Sequence, residues 1–114
     1  MLPTWINLRI FAAHKLAVPA TKVTGIVFDI DARTSRVRMQ ALVDGVKTRT
    51  TEVQVDRSQL LVLGGVYAEQ YGEDRILRAL IDVDYAKGSA AVTVFYLDPS
   101  DNERQRTDHF RTGT

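Results

Sequence analysis

Two pairs of aspartates, Asp29-x-Asp31 and Asp82-x-Asp84, have the spacing that most invites chemistry in this chain. On an extended strand, residues two apart share a face, so each pair aims two carboxylates the same way. Carboxylate oxygens are the ligands that hard cations such as magnesium take. Both pairs, however, sit on the polar side of an alternating run, where acids ordinarily face solvent. Histidine is the natural acid–base residue type near neutrality, and the chain has two, His14 and His109. Nothing in their spacing brings them together, and no Gly-x-Ser-x-Gly turn accompanies them. Gly64-Gly65 is the strongest break in the chain. It lacks the Lys-Ser/Thr end of a phosphate loop and the third glycine of a dinucleotide fingerprint. There are no cysteines, which removes disulfides, thiolate catalysis and thiolate-bound metals. The residues therefore nominate no catalytic set, no metal and no cofactor.

What remains is a set of surfaces. Arg33, Arg36, Arg38, Lys47 and Arg49 make a basic run, but it carries no aromatic residues and is diluted by Asp29, Asp31 and Glu52. Single-stranded nucleic acid is usually held by arginines interleaved with stacking rings, so a nucleic-acid partner is disfavoured. Arg104, Arg106, His109 and Arg111 form a second stripe, with Glu103 and Asp108 among them. On an edge strand such mixed charge can set the choice of a protein partner. Phe95 and Tyr96 point to opposite faces of one run, which gives that segment two bulky faces. One face would be covered by helices and the other by a subunit or a ligand. Phe95, Leu97, Arg104 and Arg106 are accordingly the candidates for a protein interface. His14, Asp82, Asp84, Tyr85 and Tyr96 are the candidates for a small-molecule pocket between sheet and helices.

The elements that must position these residues are read from hydrophobic period. Ile26 to Asp31 and Arg36 to Val43 alternate about a short loop, residues 32–35, and so predict a hairpin. In its favoured register Asp31 faces Arg36 and Asp29 faces Arg38, while Ile30, Phe28 and Ile26 meet Val37, Met39 and Ala41. One face is then apolar, and the other carries two opposite-charge pairs. Asp44-Gly45 turns the chain into a third strand, Lys47 to Val55. A three-residue loop, 43–45, with Gly45 left-handed would set Val53 and Val55 beside Val37. Leu80 to Tyr85 and Ala91 to Leu97 form a second hairpin about Lys87-Gly88. Residues 103–111 read as a polar edge strand. Residues 4–17 read as a helix with Trp5, Leu8, Ala12 and Leu16 on one face, a strand being the rival reading. Residues 66–79 read as a second helix. Residues 59–63 suit a helical turn or a buried strand. The helix–three-strand order thus repeats, by duplication or by convergence.

The expected fold is α+β: an antiparallel sheet of about five to six strands in two meanders, with one or two helices packed on one face. Residues 1–114 form one domain, since either half alone would bury too little. Formal charge is +1, from 15 basic and 14 acidic residues, which gives no long-range pull on anionic partners. No apolar stretch approaches the roughly 20 residues of a membrane helix. Residues 1–4 lack the basic start of a signal peptide, so a soluble cytoplasmic protein with no membrane partner is expected. The functional expectation is a non-enzymatic protein-interaction module of accessory, chaperone, immunity or adaptor type, acting as a homodimer. The alternative is a small-ligand-binding domain or a modest enzyme.

Overall fold

A computed structural model describes residues 4–31, 33–34, 36–53 and 75–112. Strands β1 (Val23–Asp31) and β2 (Arg36–Val43) pair antiparallel in the register that burial and charge require. Asp31 lies opposite Arg36, Ile30 opposite Val37, Asp29 opposite Arg38, Phe28 opposite Met39 and Ile26 opposite Ala41. Two short strands, β3 (Val46–Lys47) and β4 (Thr51–Val53), both line the outer side of β2. Strand β5 (Ile76–Asp84) pairs with the other side of β1, and β6 (Ser89–Leu97) and β7 (Glu103–Arg111) follow as consecutive hairpins. The order across the sheet is β3–β2–β1–β5–β6–β7, with β4 also on β2, and every pairing is antiparallel.

Among the described residues one α-helix, α1 (Thr4–Leu16), covers one face of this sheet. Leu8 and Ala12 are buried, and Trp5 and Leu16 pack half-buried against the core, which is the helical face expected from the spacing. The core beneath holds Ile26, Phe28, Met39, Ile81, Val83 and Val94, each almost fully buried. A buried side chain of this size contributes about 1.5–3 kcal/mol relative to exposure. Phe11 tilts onto Phe28 with centroids 6.0 Å apart, and Trp5 meets Phe110 of β7 at 5.6 Å, so α1 spans the sheet from β1 to β7. The helix stops in a Schellman turn ahead of Pro19. Ala17 adopts φ 55°, its N–H donates to the His14 carbonyl, and the Val18 N–H donates to that of Ala13.

Two expectations are corrected. The turn after β2 is a two-residue loop, with Asp44 at φ 51° and Gly45 at φ 80°, as a mirror-image hairpin turn requires. The expected loop of three was meant to bring Val53 beside Val37, and Val53 is indeed opposite Val37. The shift comes instead from irregular residues 48–50, where the Thr48 hydroxyl accepts the Ala41 N–H and interrupts the ladder. Second, Ile76 to Ala79 lie in β5 rather than in a helix. A bulge at Leu77 puts Ile76 opposite Tyr96 and Ala79 opposite Val94, so both face the core at a spacing of three. A bulged strand thereby imitates the spacing of a helix. Residues 66–74 of that predicted helix, residues 54–55 of the predicted third strand, residues 59–63 and Gly64-Gly65 lie outside the described residues.

Candidate functional site

No described element covers the second face of the sheet, and its outermost described strand on one side is β7. At the centre of this open face Arg78 grips Asp29 with two parallel bonds. Its Nε donates to Oδ1 at 2.8 Å and its Nη2 to Oδ2 at 2.7 Å. The guanidinium also lies over the Phe95 ring, 5.6 Å from its centroid. The Asp29 carboxylate bonded to it pushes Arg78 further above its usual range. The expected pairing of Asp29 with Arg38 is therefore replaced, although the two residues are register partners. Strand β5 brings the bidentate donor to Asp29 from the other side, while Arg36 reaches Glu52 of β4 at 3.8 Å. Asp31 caps its own hairpin by accepting the N–H groups of Arg33 and Thr34.

The five pocket candidates do not converge. Tyr85 and Tyr96 face the helix side, where Tyr85 is buried and Tyr96 packs half-buried on the core. The Tyr85 hydroxyl donates to the Trp5 carbonyl, and Arg9 lies over its ring at 4.8 Å. Burial pushes this phenol up in pKa, against the pull of Arg9. Arg9 also donates from Nε to the Val23 carbonyl at 3.0 Å, so Tyr85 and Arg9 together fasten α1 to the sheet. Asp82 and Asp84 project from the opposite face, and Asp84 accepts the Lys87 N–H that shapes the β5–β6 turn. His14 is exposed on α1. Among the described residues no three His, Asp or Glu side chains gather as a metal site would require.

The interface candidates fall into two groups. Phe95 and Leu97 are half-buried on the open face of β6. Arg104 and Arg106 project from β7 on the helix side, opposite Tyr96 and Val94. The loop preceding β7 is tightly organised. The Asp98 carboxylate accepts the Ser100 and Asn102 N–H groups, each at 2.9 Å, and Arg104 Nε at 2.9 Å. The Asn102 N–H, and then the Arg104 guanidinium, hold this carboxyl below the usual carboxylate range. Arg75 donates to the Asp98 carbonyl and pairs with Asp101 at 2.7 Å. The start of β7 is thus fixed. Along the strand, Thr107 shares a hydroxyl contact with Thr93 at 2.9 Å, and Arg106 pairs with Asp108 at 3.2 Å.

Sequence reasoning missed Arg78. Its signal lay in the pairing of β1 with β5, which joins the two halves of the chain and which no local pattern announces. No protein-family model matches the chain, and no curated protein or solved structure matches it either.

Proposed function

We propose that this protein is a non-enzymatic interaction module that works by binding protein, and that its first partner is another copy of itself. The observation that carries this reading is β7. It is an unbroken strand of nine residues, exposed along its length apart from half-buried Asp108, with no described strand on its outer side. A long open edge presents a row of main-chain donors and acceptors to whatever chain approaches. The side chains that could serve acid–base chemistry are dispersed over two faces, which favours recognition over catalysis. Light scattering coupled to size-exclusion chromatography tests the reading. A mass near twice the 12.8 kDa of the chain supports it, and a strictly monomeric mass across concentrations removes it.

A further inference from the structure

The two edges of the sheet are built differently. Beside β2 the outer strands are two and three residues long, and Thr48 breaks the ladder between them. At the far side β7 runs for nine residues in unbroken register with β6. The direction of its free main-chain groups can be read from one bond. The Thr112 N–H donates to the Gly88 carbonyl, one step past the Ser89–Arg111 pair that ends the β6–β7 ladder. In an antiparallel ladder such bonds recur at every second residue. Residues 104, 106, 108 and 110 therefore turn their N–H and C=O toward β6. Residues 103, 105, 107, 109 and 111 turn theirs outward. The close Thr93–Thr107 hydroxyl contact agrees, because non-hydrogen-bonded pairs bring side chains nearest.

We propose that β7 pairs antiparallel with β7 of a second copy, in the register centred on Thr107, to make one sheet continuous across a two-fold axis. This rests on the self-association reading above and specifies its geometry. Only registers that set outward-turned residues against outward-turned residues can form the ladder. Centred on Thr107, the register sets Glu103 against Arg111, Gln105 against His109 and Thr107 against itself on the open face. On the helix side it sets Arg106 against Asp108, and Arg104 against the ring of Phe110, which is 42% exposed. Both ion pairs are attractive and each occurs twice by symmetry. A cation facing an aromatic ring is favourable as well. Centring the pairing on residue 106 instead drives Arg106 against Arg106, and sets Arg104 rather than Arg106 against Asp108. Centring it on residue 108 drives Asp108 against Asp108. In-register parallel pairing would set every charge against its own kind. Charged residues on an edge strand ordinarily deter all pairing. Here their order gives the register centred on Thr107 only attractive charge pairs and leaves a like-charge clash in each of its two neighbours.

Charge exchange tests the register. Arg106→Asp leaves a copy with acids at both positions, and Asp108→Arg leaves a copy with arginines at both. Each variant alone replaces two attractive pairs with two repulsive ones, which weakens dimerisation roughly 30-fold. Mixed in equal amounts they regain complementarity at both pairs, and native mass spectrometry should find the heterodimer. Glu103→Arg and Arg111→Glu repeat the logic on the other face and replace the first pair if circular dichroism shows either of its members unfolded. Single variants that dimerise as tightly as the parent, or a mixture that stays monomeric, overturn this pairing while leaving self-association standing. A monomeric parent overturns the self-association reading itself.

Discussion

Substituting Tyr85→Phe isolates the bond that fastens α1 to the sheet. Tyr85 is 8% exposed, its hydroxyl donates to the Trp5 carbonyl, and Arg9 lies 4.8 Å from the ring centroid. Phenylalanine keeps the buried ring and the cation above it, and removes one oxygen. The Trp5 carbonyl, being in the first turn of a helix, keeps its main-chain partner four residues on, so no acceptor is orphaned. The loss is then the net value of one hydrogen bond, about 1 kcal/mol. In a domain of this size that lowers Tm by about 5 °C. Urea and thermal unfolding followed by circular dichroism measure it. An unchanged midpoint would mean that the hydroxyl does not hold the helix. A loss above about 3 kcal/mol would mean that the ring itself had moved. Alkaline pH supplies an independent arm. Burial raises the folded-state pKa of this phenol above its ordinary value of about 10, with Arg9 opposing. A raised pKa means that the folded state holds the proton longer than the unfolded chain. The associated stability is complete below pH about 10 and is lost as pH climbs toward the folded value. The parent protein should therefore lose stability faster than Tyr85→Phe above pH 10, and the gap between them should close. Parallel curves would refute the burial of the phenol.

Two further substitutions probe backbone rather than side chain. Ala17 ends α1 at φ 55°, a conformation that costs an alanine about 1 kcal/mol and a glycine almost nothing, so Ala17→Gly should raise the unfolding free energy measured in urea by about 0.5–1 kcal/mol. Gly25 sits where a Cβ would come 2.9 Å from the Leu42 Cδ1 and 3.2 Å from the Val83 carbonyl oxygen. The leucine methyl can swing aside but the carbonyl cannot, so Gly25→Val should destabilise by about 1–3 kcal/mol in the same assay, and Gly25→Ala by less.

The first hairpin was legible residue by residue because burial and charge agreed. A slip by one residue would have set Ile30 and Phe28 against arginines. The edge character of residues 103–111 was legible from composition, since every residue but Phe110 is polar. What escaped was long-range or irregular. The bulge at Leu77 turned a strand period into a helical spacing. The insertion at residues 48–50 did the work assigned to a longer turn. The Arg78–Asp29 pair depends on two strands 49 residues apart in sequence, and local pattern carries no information about which strand lies beside which. The pocket candidates share chemical type but not a face, since strand alternation sets Asp82 and Asp84 on the face opposite Tyr85.

The same alternation bears on how a partner would approach. A partner seated flat on the open face, over Phe95 and Leu97, would have to dehydrate the Arg78–Asp29 pair, whose side chains are 43% and 31% exposed. Removing a partly wet ion pair from water forfeits solvation of several kcal/mol per ion, and the Coulombic gain does not dependably return it. Pairing along β7 leaves that ion pair in water. It covers main-chain groups that have no described partner strand and shields the exposed ring of Phe110. The hydrogen bonds gained replace bonds to water with bonds of fixed geometry, and cross-strand charges select the register without being buried. Edge-on association therefore asks less desolvation of this sheet than face-on association, and it does so with a strand whose start is already anchored by Asp98 and Arg104.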